Sequence, residues 1–126
     1  MESFVVTRKD EGAVSVLYPG GKMDHHTAPA FESALRALGE EKRYKIIINL
    51  KDLQYISSAG LNVLMKFIDD IRRHGGDIKI TNAAPGVYRV FDLVGYTHLY
   101  EFYEHPEEAL KAFESSTEDH SCHIEQ

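Results

Sequence analysis

The first fifth of the chain contains two short runs of residues that favour β-strands. Residues 3–8 and 13–18 are these runs, and a polar stretch, Lys9–Gly12, separates them. Two such runs with a short polar connection predict an antiparallel hairpin. Pro19-Gly20-Gly21 follows the second run and predicts that the strand ends there.

The middle of the chain alternates between helical and strand patterns. Residues 28–41 place apolar side chains at helical spacing and predict an amphipathic helix with Thr27 as its N-cap. Residues 44–50 include three consecutive isoleucines, which predict a central strand buried on both faces. A long helix is then predicted from the serine pair at 57–58 to a left-handed stop at Gly75. Its expected apolar stripe consists of Leu61, Leu64, Met65, Ile68 and Ile71.

The last third repeats this alternation in shorter segments. Residues 77–81 predict a strand, Pro85 opens a short helix, and Gly95 ends it. Residues 99–103 and 106–114 predict a last short strand and a closing helix. The inward positions expected for the helix after Pro85 are Val87, Val90, Phe91 and Val94.

Together these elements predict one α/β domain over residues 1–114. Strand–helix–strand units imply right-handed crossovers and a mostly parallel sheet, to which the first hairpin adds an antiparallel element. We expect a mixed sheet of four to five strands packed with about four helices. Residues 115–126 show no apolar periodicity and predict a flexible tail.

The charge balance narrows the classes of partner. The chain has 20 acidic and 14 basic side chains, a formal net charge of -6. Its densest basic pairs, Lys42-Arg43 and Arg72-Arg73, are flanked by acids, so nucleic acid is disfavoured as a partner. A protein partner with a basic docking face fits this balance, although solubility alone also explains it.

Other features of the sequence bear on the compartment. No stretch approaches 18 consecutive apolar residues, so no membrane span is predicted. The N-terminus lacks the basic-then-apolar layout of a secretory signal, and the single cysteine, Cys122, has no internal disulfide partner. The sequence therefore predicts a cytoplasmic protein.

The segment DLQYISSAGL, residues 52–61, carries the main candidate chemistry. It places Ser57 and Ser58 between a strand and the first turn of a long helix. A helix start has unsatisfied N–H groups and a partial positive charge, so it tolerates a phosphate on Ser58. The same position suits a serine that only caps the helix, and the local pattern leaves both interpretations open. Ala59-Gly60 would leave the adjoining backbone without bulky cover, which indicates either close packing or access for another protein.

Three other constellations are weaker. Gly20-Gly21-Lys22 lacks the leading glycine and the following Ser or Thr of a phosphate-binding P-loop. Adjacent histidines such as His25-His26 are expected to point apart, which favours a polar turn over a metal site. A further set lies in the predicted tail without a fourth ligand: His120, Cys122 and His123. No metal, cofactor or catalytic centre is predicted, although a small enzyme using Asp24, His25 or Ser58 stays open as an alternative.

Four segments of the chain resemble the STAS domain of bacterial anti-sigma-factor antagonists. In chain order they are GKMDHHTAP, DLQYISSAGL, HGGDIKI and AAPGVYRVFDLVGY. The resemblance covers roughly residues 3–113, and its strength lies in the joint spacing of the segments. It implies the STAS fold and a regulatory function rather than an enzymatic one.

The resemblance also implies a partner-switching mechanism. In this family the unphosphorylated antagonist binds a GHKL-type serine kinase that is also an anti-sigma factor, and phosphorylation by that kinase releases it. A PP2C-type phosphatase resets the antagonist. The acceptor position matches Ser58, with Ser57 as the second candidate, because many antagonists carry Asp where this chain has Ser57. The partner-binding positions implied are Asp24, Asn49, Ser57, Ser58, Ala59, Gly60 and Leu61.

Two further expectations concern assembly and the alternative function. We expect a monomer or a weak dimer, because the strand edge at the N-terminal hairpin could pair or remain free. The alternative is a STAS scaffold or small-ligand-binding module that works without phosphorylation.

Overall fold

The predicted N-terminal hairpin consists of strand β1, Val5–Glu11, and strand β2, Val14–Met23. The computed structural model describes residues 4–114, and the tail predicted at 115–126 lies outside them. The predicted end of the second strand at Pro19-Gly20-Gly21 is wrong, because β2 continues to Met23. Gly21 has a φ of 109°, and the pairing register of β2 shifts beside it. A glycine allows this irregularity, so the strand bends towards a second partner instead of stopping.

Within residues 4–114, six strands form the sheet. The four strands after the hairpin are β3, Lys45–Asn49; β4, Leu53–Ile56; β5, Asp77–Thr81; and β6, Glu101–Tyr103. Their order is β1-β2-β3-β5-β6, and β4 pairs with the second half of β2. All pairings after the hairpin are parallel, which confirms the predicted mixed, mostly parallel sheet.

Strand β4 raises the number of strands above the predicted four to five. The sequence does not predict it because its burial does not alternate: Gln54 and Tyr55 are both exposed between buried Leu53 and Ile56. The prediction for residues 99–103 is half right. A short 3-10 turn, Tyr96–His98, precedes β6, and only Glu101–Tyr103 pairs as a strand.

In the described part of the chain four helices cover the sheet, which agrees with the predicted number of about four. They are α1, Ala28–Glu40; α2, Ser58–Arg73; α3, Pro85–Leu93; and α4, residues 106–114. Two expected core positions are wrong, since Met65 is 45% exposed and Val94 is 51% exposed. Val63 is buried in α2 instead, because the apolar face of that helix is turned towards α1. No helix in the described part of the chain has the length and apolar character needed to cross a bilayer.

The two faces of the sheet carry separate cores. Helices α1, α2 and α3 pack on one face against Leu17, Ile46 and Ile48. Helix α4 packs on the other face, in a smaller cluster formed by Val14, Val16, Ile47, Ala109 and Phe113. The serine pair at the start of α2 therefore belongs to the three-helix face.

Candidate functional site

Ser57 joins β4 to α2 and caps the helix. Its backbone N–H donates to the carbonyl of Met23 at 2.9 Å, which ties the helix start to the end of β2. Its backbone is extended, with φ -99° and ψ 177°, and its Oγ accepts from the N–H of Ala59 at 3.2 Å. An extended residue whose oxygen accepts from the first turn is an N-cap. The capping prediction is therefore confirmed for Ser57.

Ser58 occupies the next position and has a different environment. It is the first residue of α2, and its side chain is exposed. Within residues 4–114, no hydrogen bond engages the Ser58 hydroxyl, whereas the Ser57 hydroxyl is half-buried and held by Ala59. The two serines are thus distinct: Ser57 caps the helix, and Ser58 is exposed with no hydrogen bond to its hydroxyl from the described residues.

Gly60 and Leu61 lie beneath this surface rather than on it. A Cβ on Gly60 would lie 2.6 Å from the Met23 sulfur and 2.8 Å from Ile56 Cγ1. Both Gly60 and Leu61 are buried. The reason for glycine here is close packing of α2 against β2 and β4. Gly60 and Leu61 therefore belong to the core beneath the serine pair.

Asp24 lies in the turn between β2 and α1, directly after Met23, whose carbonyl accepts from Ser57. Its carboxylate accepts from the N–H groups of His26 at 2.9 Å and Thr27 at 3.2 Å. Thr27 holds the predicted N-cap position, but its hydroxyl bonds back to Lys22 and Asp24 instead of to the helix. The hydrogen bond from the His26 N–H, followed by that from Thr27, keeps the pKa of Asp24 below its ordinary value.

The lowered pKa of Asp24 predicts a pH-dependent contribution to stability. A depressed folded-state pKa stabilises the fold above the unfolded value of 3.8, and this stabilisation is lost as the pH falls through the folded value. We expect Asp24→Asn, which keeps an acceptor oxygen but no charge, to unfold with a weaker dependence on pH between about 5 and 2. Thermal unfolding of both proteins across that range checks this. Identical pH profiles would contradict it.

Asn49 is buried, whereas Ser58 is exposed. Asn49 ends β3, and strand alternation places it on the same face of the sheet as Ile47. Its Oδ1 accepts from the N–H of Lys51 at 3.0 Å, so it shapes the turn between β3 and β4. The structure does not bring this predicted partner-binding residue to the surface that carries Ser58.

The histidine pair departs from the expectation that adjacent rings point apart. The His25 and His26 ring centroids are only 4.0 Å apart. Among the described residues, no group of three or more His, Cys, Asp or Glu side chains could hold a metal ion. His120, Cys122 and His123 lie outside the described residues.

A groove between α1 and α2 adjoins Ser58, and sequence reasoning missed it. It has a volume of about 290 Å³. The residues that line it come from the first two turns of α1, the first three turns of α2 and the loop before α1: His25, Ala28, Pro29, Glu32, Ala59, Asn62, Val63 and Lys66. Helical periodicity predicts the apolar face of each helix separately but not the spacing between two helices. No local signal in the sequence could therefore have revealed the groove.

Comparison with known proteins identifies the family of the chain. The STAS domain family model matches residues 5–109. The chain is 28% identical over 102 residues to an anti-sigma F factor antagonist of Paenibacillus polymyxa, covering 80% of this chain and 87% of that protein. It is 32% identical over 75 residues to an anti-sigma-B factor antagonist of Bacillus subtilis strain 168, covering 60% and 68%.

A solved structure agrees with the sequence comparisons. The crystal structure of an anti-sigma factor antagonist from Mycobacterium paratuberculosis superposes with a TM-score of 0.80 at 26% identity. The match covers 87% of this chain and 93% of that one. The four resembling segments, the fold and the family model all agree: the chain belongs to the STAS domain family.

Proposed function

We propose that this chain is an anti-sigma-factor antagonist whose partner binding is switched by phosphorylation of Ser58. The unphosphorylated chain binds an anti-sigma factor that is also a GHKL-type serine kinase, and the phosphorylated chain is released. A PP2C-type phosphatase restores the first state. Because the kinase uses ATP, the exchange takes place in the cytoplasm. The chain itself performs no catalysis in this scheme.

The observation that carries the proposal is the difference between the two serines. Ser58 is exposed at the start of α2 with a free hydroxyl, while the Ser57 hydroxyl is held by the Ala59 N–H. A kinase must reach a hydroxyl from solvent, so Ser58 is the acceptor and Ser57 its support. The names of the relatives from Paenibacillus and Bacillus support the sigma-factor pathway.

The position of Ser58 also allows the phosphate to remain without disturbing the fold. The first turn of α2 presents N–H groups and the positive end of the helix dipole to an anion. Ser58 is exposed, whereas Gly60 and Leu61 are buried, so the added group needs no room in the core. Phosphorylation thus alters the surface charge by about -1.5 to -2 without refolding.

We expect phosphate on Ser58 after incubation with ATP and the cognate kinase. That kinase is identified by testing each purified GHKL-type kinase of the source organism in turn. Peptide mass spectrometry locates the modification. Ser57→Ala is the matched control. It should still accept phosphate at Ser58, while loss of its cap lowers stability by about 0.5–2 kcal/mol. Phosphate on neither serine with any of these kinases would overturn the proposal.

A second candidate function is a STAS module that binds a small ligand without phosphorylation. Its support is a cavity of about 520 Å³ beside β6, large enough for a small molecule. Tyr100 is among its lining residues, and the Tyr100 hydroxyl is buried without a hydrogen-bond partner in the part of the chain that the structure describes. Absence of phosphate on Ser58 in the kinase experiment would favour this candidate.

A further inference from the structure

We propose that the groove between α1 and α2 is a specificity subsite, which receives one apolar side chain of the kinase together with a neighbouring carboxylate. The inference rests on the proposed function, because it concerns the same partner. It adds a second contact region, away from the phosphorylated hydroxyl, through which the partner is recognised.

The size of a protein interface requires the kinase to cover this groove. A standard interface buries about 800 Å² on each partner, the area of a disc about 16 Å in radius. Lys66, at the far end of the groove, is eight residues beyond Ser58 along α2, or about 12 Å at the helical rise. Ala59 both lines the groove and follows the acceptor. A partner centred on Ser58 therefore covers the groove along most of its length.

The lining of the groove determines which side chain fits. Its floor is formed by small or buried apolar groups, the side chains of Ala28, Ala59 and Val63, with Pro29 at one wall. A volume of about 290 Å³ lies at the lower limit of pockets that hold small molecules. One apolar side chain from a protein fits this space, and its burial would contribute about 1.5–3 kcal/mol of transfer free energy.

The charges at the far end favour a carboxylate beside that apolar residue. The Lys66 ammonium lies 2.8 Å from the Glu32 carboxylate, and Glu32 also pairs with Arg36 on its own helix. Two cations thus share one anion, and the Lys66 side chain is 56% exposed. When a partner carboxylate pairs with Lys66, Glu32 still pairs with Arg36, so this exchange of ion pairs leaves no charge unpaired in the interface.

Two substitutions test the subsite, with the kinase that phosphorylates Ser58 as the probe. Asn62→Arg places a long side chain in the groove from an exposed position and should weaken binding at least tenfold, while Asn62→Ala should change it less than threefold. Lys66→Glu should weaken binding about tenfold. Its matched control is Arg73→Glu, the same charge reversal on the same helix, about 22 Å from Ser58 and outside the expected interface.

Isothermal titration calorimetry gives the dissociation constants, and thermal unfolding shows that each variant is folded. If Asn62→Arg and Lys66→Glu bind like the wild type while Ser58 is phosphorylated, the subsite is wrong and the switch stands. If Lys66→Glu and Arg73→Glu weaken binding equally, the effect is one of net charge and the subsite is again wrong. If none of the source organism's GHKL-type kinases binds or phosphorylates the wild type, both proposals are overturned.

Discussion

Ser58→Glu is expected to weaken binding to the kinase by about 10²–10³, while Ser58→Ala binds within a few-fold of the wild type. A negative charge at this position must be desolvated when the partner docks, and an interfacial penalty of about 3–4 kcal/mol corresponds to that loss of affinity. The alanine removes the acceptor hydroxyl without adding charge. Titration calorimetry with the same kinase measures both.

The structure provides a control for the added charge. Thr7 is exposed on β1 and pairs with Tyr18, on the sheet face that packs against α4. Thr7→Glu therefore adds the same charge on the opposite side of the sheet, and it should leave the affinity unchanged. The thermal unfolding midpoint of Ser58→Glu should match that of the wild type, because the side chain at this position is exposed and makes no packing contact in the core. Equal binding by Ser58→Glu and the wild type would contradict the charge mechanism.

The helices and central strands could be predicted from sequence because their signals are local. The three isoleucines of β3, the serine cap of α2 and the glycine that ends α2 are each contained within one segment. The predictions that failed concern strands whose extent depends on pairing with distant segments of the chain. Beyond Pro19, β2 pairs with β1 at Gly20 and with β4 from Gly21 to Met23, so the extent of β2 depends on pairing between distant segments.

The candidate site shows the same division. The sequence identifies the serine pair and the resemblance ranks Ser58 first, but the hydrogen bond that holds the Ser57 hydroxyl to Ala59 is not evident from any sequence pattern. Asn49 matches the family position but is buried at the end of β3, because its burial depends on the elements that pack around the strand, which the motif does not specify. A family motif therefore identified residues of two kinds, those that a partner can touch and those that shape the turn behind them.

Gly76→Ala is expected to lower the free energy of unfolding by about 3 kcal/mol or more, at the upper end of overpacking costs. Gly76 joins α2 to β5, where its N–H donates to the carbonyl of Ile71 at 3.0 Å. A Cβ there would lie 1.9 Å from the backbone oxygen of Tyr44. Relief would require the backbone itself to move, and the same oxygen accepts from the N–H of Asp77 at 2.9 Å, in the pairing of β3 with β5.

Gly39→Ala is the matched control for this prediction. Gly39 lies inside α1 with open space where a Cβ would stand, so alanine should leave stability unchanged or raise it by up to about 1 kcal/mol. Urea unfolding at neutral pH measures both variants, and equal midpoints would contradict the packing argument. Because Gly76 is at the opposite end of α2 from Ser58, the folded fraction of Gly76→Ala should still bind the kinase. Ser58→Glu should do the reverse, keeping the fold and losing the partner, so the two variants separate the stability of the domain from its switch.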